Sequence, residues 1–345
     1  MCIRDRQDST LQHSSAQHPQ QHGQAHDAQH ADHAQTEGFT FNAMFNENLG
    51  DHGGFYLFSY HLADLPYIFV DNGSFEFYPN VSALEASGKY ELHAGHAVKT
   101  DGSHVQLDLS PTNFVIFQWI SMIVVIALFI IGNRSYKKST RAPKGIGNAL
   151  EMLTMMIRDT VVRPNIPNDK LVSAYLPYFL SVFFFIYAMN LVGLLPGGHT
   201  ATSAIGTTAG LAITAFLMVN IVIPAKAMGP VGAVKSFLHH LLGGAPWWLA
   251  PIMVPIEVVG IFTKPFALAI RLFANMSSGH IILFTLIGFI FFFNTAAVSP
   301  VVSLFSIFIY FLEILVTFLQ AYIFTMLTAV FTGLVLGDHA DGEHH

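Results

Sequence analysis

The chain has 345 residues, of which 52% are hydrophobic and only 11% are charged, and its mean hydropathy is +0.48. Soluble domains carry about 25% charged residues, so the composition argues against a fully soluble protein, and the single Cys2 excludes an internal disulfide framework. Residues 1–111 hold 14 acidic and 4 basic residues, whereas residues 112–345 hold 8 and 12. Two physical regimes therefore share one chain.

Residues 1–38 are rich in His, Gln, Ala and Ser and contain almost no large apolar side chains. Such a segment buries too little surface to offset its ordering entropy, so we predict a disordered His-rich tail, with metal capture by its imidazoles as the alternative. Met1–Arg6 leads into polar sequence without an apolar signal segment. We therefore expect that the natural start lies further upstream and includes an export signal.

Residues 39–111 predict a small β-rich module. Apolar and aromatic runs of strand length, such as Phe55–Phe58 and Tyr67–Val70, alternate with turn-forming stretches such as Asp71–Gly73.

An apolar run at 114–132 follows, and it has the length of roughly 20 residues that a helix needs to span the membrane. The loop at 133–145 holds five basic residues and no acidic one, which predicts a cytoplasmic loop and an N-terminal region outside.

The remainder of the 112–337 membrane domain continues this pattern. Residues 146–166 predict an amphipathic helix on the cytoplasmic surface, and 171–195 and 204–223 predict two further spans. The apolar segments at 250–293 and 301–336 are longer than a span requires, since 36 residues make about 54 Å of helix. We favour two strongly inclined antiparallel helices over broken ones, joined by a turn at 294–300. A polar tail occupies 338–345, and the predicted class is an all-α polytopic membrane protein with about five membrane helices.

Ionisable residues are sparse in the apolar part of the chain, and each is a candidate for function because burying a charge in hydrocarbon costs several kcal/mol. Between 171 and 337 the only Asp, Glu, Lys or Arg residues are Lys226, Lys235, Glu257, Lys264, Arg271 and Glu313. Arg271 is a permanent cation. Helical geometry places Ala267, Ala274 and Ser278 within about 60° of it, so that another helix can approach closely and present a carboxylate. The alternative is that Arg271 pairs with Glu257 or Glu313 and only holds helices together.

Polar residues near Arg271 suggest a path for protons. Asn275 lies about 40° from Arg271 around the helix, while His280 lies about 180° away. Glu313 and Gln320 lie about 20° apart on one face, and the antiparallel arrangement lets His280 approach Glu313. An imidazole and a carboxylate suit proton relay. Gln320, like Asn190, has ordinary interhelical hydrogen bonding as its alternative role.

These residues resemble the a subunit of rotary F-type ATP synthases. The matching segments are Lys264-Pro265, Arg271-Leu272-Phe273-Ala274-Asn275-Met276, Gly279-His280, Glu313, Leu319-Gln320-Ala321-Tyr322-Ile323-Phe324, and Met189-Asn190-Leu191 with Leu194-Leu195-Pro196. The resemblance implies that Arg271 faces the carboxylates of a rotating c ring. It implies that Asn275, His280, Glu313 and Gln320 line the outer half-channel. Some members carry the acid and the imidazole in exchanged positions, and we expect the relay to survive this exchange.

The resemblance also implies partners: the c-subunit ring, the b subunits of the peripheral stalk, and the soluble ATPase head, in the inner membrane of a bacterium. We expect no cofactor and no nucleic acid, and the chain has no phosphate-binding Gly-Lys-Ser/Thr motif for a nucleotide. One alternative is a secondary transporter in which Arg271 binds an anionic substrate, although no internal repeat is visible. A further alternative is a structural membrane anchor that has no role in transport. We favour protons as the ion whose flow is coupled to rotation, and sodium ions are the alternative.

Overall fold

The computed structural model describes residues 54–138 except 58–59, 72, 94–95 and 104, residues 145–195 except 167, and residues 200–227. It also describes positions 229, 231–232 and 237 and residues 247–293 and 298–337. The predicted tails at 1–38 and 338–345, residues 39–53, Lys235, positions 139–144 of the basic loop and 294–297 of the last turn lie outside the described residues.

The described part of the N-terminal module contains seven short strands in three antiparallel sheets, ordered β1–β2, β4–β3–β7 and β5–β6. The strands are β1 Gly54–Leu57, β2 Tyr60–Asp64, β3 Tyr67–Asp71, β4 Ser74–Tyr78, β5 Tyr90–His93, β6 His96–Lys99 and β7 Leu107–Asp108. A short helix, α1 (Val81–Ala86), follows β4 and is capped by the Asn80 side chain. The strand-rich prediction is confirmed for these residues.

The module has its own aromatic core on one face of β3. Burial alternates along this strand, and Phe69 is completely buried against Tyr90 with ring centroids 4.7 Å apart. Leu84 of α1 joins the same cluster. At its edge the ammonium group of Lys99 lies 2.8 Å from the nearly buried carboxylate of Asp71.

Five helices among the described residues are long and apolar enough to cross a membrane, which confirms the predicted fold class. They are α2 (Asn113–Lys138), α4 (Asp169–Gly193), α5 (Ile205–Leu217, continued by a π-helical Met218–Val222), α6 (Ala250–Phe293) and α7 (Val298–Gly337). Between α2 and α4 lies the helical segment α3, which is Ile146–Met156, π-helical Ile157–Val162 and Arg163–Asn165.

Helices α6 and α7 are each continuous, with 44 and 40 residues, so neither breaks into two spans. Their lengths correspond to about 66 Å and 60 Å, twice the hydrocarbon thickness. The helix α6 continues through Pro255 and Pro265. That α6 and α7 lie strongly inclined within the membrane remains a prediction.

The helices pack around a core that fixes α6 and α7 against the rest. Phe183 and Phe324 are almost completely buried between α4 and α7, and Leu272 contributes from α6. The π-helical part of α3 buries Val161 against the same bundle. Gly333 lets α7 approach the end of α3, since a Cβ there would lie 3.1 Å from the carbonyl carbon of Asn165.

Candidate ion-translocation site

Arg271 lies exposed on the surface of α6. Ala267, Ala274 and Ser278 are exposed on the same side, while Leu272, about 100° further round the helix, is fully buried. The sequence therefore predicted correctly that small side chains surround the arginine. Within the described ranges Arg271 forms no ion pair, so the alternative of an internal pair with an acid receives no support.

Asn275 and Gln320 join α6 to α7 beside the arginine. The amide nitrogen Nδ2 of Asn275 donates a hydrogen bond to Oε1 of Gln320 at 2.7 Å. Gln320 is almost completely buried, whereas Asn275 belongs to the exposed side of α6 that carries Arg271. The pair thus connects the interior of the helix bundle with the arginine surface.

Glu313 is buried in the contact between α6 and α7. Only 5% of the residue is exposed, and neither carboxyl oxygen has a hydrogen-bond partner among the described residues. The side chain lies against Gly279, where a Cβ would approach the Glu313 Cδ atom to 2.9 Å. The structure therefore places Glu313 against the residue directly before His280. The approach of His280 itself to Glu313 stays a prediction.

His280 contacts the connection between α4 and α5. Its Nε2 atom meets the hydroxyl oxygen of Thr200, which is itself buried. Thr200 fits here because Gly193, at the end of α4, has no side chain, and a Cβ at that position would lie 2.6 Å from the Thr200 Cα. Sequence reasoning identified His280 but missed Thr200 and Gly193.

Asn190 lies fully buried one turn before Gly193 and holds the same connection. Its Oδ1 atom accepts a hydrogen bond of 2.6 Å from the hydroxyl of Thr202. Thr202 belongs to a 3₁₀ turn, Ala201–Ser203. Asn190 therefore holds the turn that follows Thr200 in place. Among the hydrogen bonds of the described residues, none joins Asn190 to the side of α6 that carries Arg271.

Among the described residues, three cavities lie along α6, and the largest, of about 510 Å³, is lined mainly by apolar side chains of α5 and α6. The other two have polar side chains in their walls and lie before and after Arg271 along the helix. The larger of these two, of about 310 Å³, includes His280 and Gly193 in its wall, and Tyr310 in the same wall donates a hydrogen bond to the carbonyl oxygen of Leu194. The smaller, of about 40 Å³, lies toward the other end and is lined by Asn220, Lys264 and Thr328 among others. Positions 264 and 280 are separated by about 24 Å along the helix, and Arg271 lies between them.

These features define a polytopic membrane protein with a polar site inside its helix bundle. Within the described residues no group of three or more His, Cys, Asp or Glu is arranged to hold a metal ion. The carboxyl group of Glu313, the imidazole of His280, the amides of Asn275 and Gln320 and the guanidinium of Arg271 lie on two adjacent helices, which suits the movement of a small cation such as a proton.

The family model "ATP synthase A chain" matches residues 115–333. ATP synthase subunit a of Chloroherpeton thalassium is 46% identical over 242 residues, which cover 69% of this chain and 70% of that protein. The subunit a of Myxococcus xanthus is 43% identical over 244 residues, covering 69% of this chain and 78% of that protein. The subunit a 2 of Chlorobaculum tepidum is 42% identical over 277 residues, covering 79% and 72%. The chain belongs to the ATP synthase A chain family and is a membrane-sector subunit of F-type ATP synthase.

Proposed function

We propose that this chain is the proton-channel subunit of the synthase, with two offset half-channels separated by Arg271. The observation that carries the proposal is the exposed arginine on a small-residue surface between two cavities. An arginine that is unpaired within the described part of a membrane domain needs a carboxylate from another chain, because an uncompensated charge in hydrocarbon is costly. The carboxylates of a c ring supply that partner.

The exposed face of α6 suits contact with a rotating ring. Ala267, Ala274 and Ser278 are small, so a ring helix can pass close to the guanidinium group. Arg271 stays charged at all relevant pH values. It therefore favours the deprotonated ring carboxylate when that group faces it, and it repels protons that would otherwise leak directly between the half-channels.

The outer half-channel would begin in the cavity of about 310 Å³ and pass His280 and Glu313. From there it reaches the Asn275–Gln320 pair beside Arg271. Asn190 shapes the wall by holding the turn that carries Thr200. A proton that enters here neutralises a ring carboxylate, and a neutral site can rotate into lipid at low cost.

The inner half-channel would use the smaller cavity at the opposite end of α6. Its lining includes the polar side chains of Asn220, Lys264 and Thr328. After almost a full turn of the ring, the proton leaves its carboxylate near Arg271 and exits by this route. Lys264 and His280, which line the two cavities, are about 24 Å apart along the helix, and Arg271 lies between them. Because Arg271 repels protons, a proton passes from one cavity to the other only on a rotating ring carboxylate.

The proposal includes an orientation and partners. The N-terminal region lies outside and the basic loop at 133–145 lies in the cytoplasm of a bacterial cell, in agreement with the excess of positive charge in that loop. The partners are the c ring, the b subunits of the peripheral stalk, and the ATPase head, which carries the nucleotide chemistry. A self-contained transporter would instead purify alone or as a homo-oligomer.

Membrane vesicles that pump protons on addition of ATP test the path directly. Glu313→Gln and His280→Ala should each slow the acidification of the vesicle interior, measured by quenching of a pH-sensitive dye. Glu151→Gln on α3 is the matched control and should pump like the wild type. If both variants of the path pump at the wild-type rate, Glu313 and His280 do not carry protons.

A further inference from the structure

One buried threonine of α7 differs from the other three. The hydroxyl groups of three of them donate hydrogen bonds of 2.8 Å to backbone carbonyls four residues earlier, namely Thr325 to Ala321, Thr328 to Phe324 and Thr332 to Thr328. This is the usual arrangement for a threonine inside a helix. Thr317 is completely buried, yet its hydroxyl has no partner among the described residues.

Thr317 lies between the two polar contacts that join α6 to α7. Glu313 is one turn before it, about 6 Å along the axis, and Gln320 is one turn after it, about 4.5 Å along the axis. Residues spaced by four and by three share one face of a helix. The unpartnered oxygens of Glu313 and Thr317 therefore belong to one buried polar strip that ends at the Asn275–Gln320 hydrogen bond.

Buried polar groups are rarely left without hydrogen bonds. A hydroxyl can accept one hydrogen bond while it donates another, which an amide nitrogen or a carbonyl oxygen alone cannot do. Threonine at this position can thus receive a hydrogen bond from the protonated Glu313 carboxyl through a bridging water molecule, and donate toward Gln320. The hydroxyl gains no net charge in this exchange.

We propose that Thr317 is a positioning residue that holds the carboxyl group of Glu313 and connects it to the Asn275–Gln320 pair. This inference rests on the proposed function and adds a residue to its outer path. It places a hydroxyl group of α7 on the route of the proton from the Glu313 carboxyl, which releases it, to the ring carboxylate beside Arg271, which accepts it.

Passive proton flow through vesicles stripped of the ATPase head measures this step. Thr317→Val keeps the shape of the side chain and should reduce the flow several-fold, while Thr317→Ser should restore it. Thr325→Val, at an equally buried position, is the control and should conduct normally. The solvent isotope effect should rise in Thr317→Val, which a defect of packing would not produce.

Equal proton flow in Thr317→Val and Thr325→Val would overturn the inference, as would failure of Thr317→Ser to conduct better than Thr317→Val. Arg271→Ala, studied in vesicles that keep the ATPase head, separates the inference on Thr317 from the proposed function. If Arg271→Ala abolishes coupled pumping while Thr317→Val conducts normally, the inference on Thr317 fails and the proposed function stands.

A separate observation concerns the outer face of the β4–β3–β7 sheet. Registers pair Ile68 with Phe77 and Val70 with Phe75, and Val70 also pairs with Leu107, so these side chains share one face. Phe75, Phe77 and Leu107 are between 52% and 66% exposed. The opposite face holds the aromatic core. The exposed face is therefore a contiguous apolar surface and not part of the module's own core.

The position of this sheet in the chain brings it to the membrane. Leu109, which is exposed and hydrogen-bonded to Ile68, precedes the first residue of α2, Asn113, by four positions. Four residues span at most about 14 Å. Trp119, early in α2, is also more than half exposed and faces the surroundings of the bundle. The apolar sheet face is thus tied to the end of a membrane span.

We infer that this sheet face rests on the lipid bilayer, on the side where α2 begins. Aromatic side chains favour the boundary between lipid and water, and the short connection leaves the sheet close to that boundary. The face would hold the module against the membrane beside the outer helices.

A fluorescent label tests this contact in the complete synthase in vesicles of phosphatidylcholine. With Cys2 replaced by Ser, Phe77→Cys labels the apolar face, and Glu85→Cys labels α1 on the core side of the sheet as the control. Quenching by spin-labelled lipid should be strong at position 77 and weak at position 85. Equal weak quenching at both positions would refute contact with lipid, whether the face meets water or another protein.

Discussion

A methyl group added at Gly279 should displace the carboxyl group of Glu313 without unfolding the bundle. The Cβ of an alanine would lie 2.9 Å from the Glu313 Cδ atom. Ordinary contacts between carbon atoms are about 3.5–4.0 Å, so the carboxyl group must move by about 0.6 Å or more. A functional group that must be held in a productive geometry tolerates a displacement of only about 0.5 Å.

The energetic cost is moderate. Overpacking of this kind costs about 1–3 kcal/mol, and the change from glycine to alanine inside a helix returns about 0.5–1 kcal/mol. Assembly should therefore survive. If about 1.4 kcal/mol of the cost appears in the barrier to proton movement, passive proton flow falls about tenfold.

The assay is proton flow through vesicles stripped of the ATPase head. Gly260→Ala is the matched control, because Gly260 belongs to the same helix and a Cβ there meets nothing within 4 Å. We expect Gly260→Ala to conduct like the wild type. Wild-type conduction by Gly279→Ala, with the complex assembled, would refute the claim that Glu313 works from its place against Gly279.

Three further predictions follow from other contacts. Asn275→Ala and Gln320→Ala should be non-additive in pumping rate by about 1 kcal/mol, because they break one shared hydrogen bond, and simple additivity in a double-mutant cycle would contradict this. Thr200→Val removes the hydroxyl that meets His280 and should shift the pH dependence of pumping, whereas an unchanged pH profile would show that the contact does not matter. Burial raises the pKa of Tyr90 from 10.0 to about 12, so the contribution of this phenol to the stability of the module should be complete below pH 10 and lost as the pH rises toward 12. Protease cleavage of the module in the intact complex should therefore become faster as the pH rises from 10 toward 12. The increase should be less steep in Tyr90→Phe.

Sequence reasoning worked where one helix alone determines the answer. The length of an apolar run fixes whether a helix can span the membrane, and the angle of 100° per residue placed Arg271 with Ala274 and Asn275 on one side. The structure agrees on both points. The hydrogen bond between Asn275 and Gln320 was not predicted from the sequence, because it depends on how α6 and α7 pack.

The same reasoning missed the residues whose role exists only between elements. Gly279 and Gly193 matter because they lack a side chain where Glu313 and Thr200 approach, and a glycine gives no chemical signal of that in the sequence. Thr200 lies in a connection rich in Gly and Thr that resembles an ordinary loop. The unusual state of Thr317 is visible only by comparison with the other buried threonines of α7.

The central claim is that Arg271 couples proton movement to the c ring, and ATP-driven acidification of membrane vesicles tests it most directly. The measurement compares the wild type with Arg271→Ala, with and without sodium, after co-purification has verified that the c ring and the ATPase head are present. We predict that the wild type pumps equally well without sodium and that Arg271→Ala does not acidify the vesicles at all. Coupled acidification by an assembled Arg271→Ala complex would contradict the account.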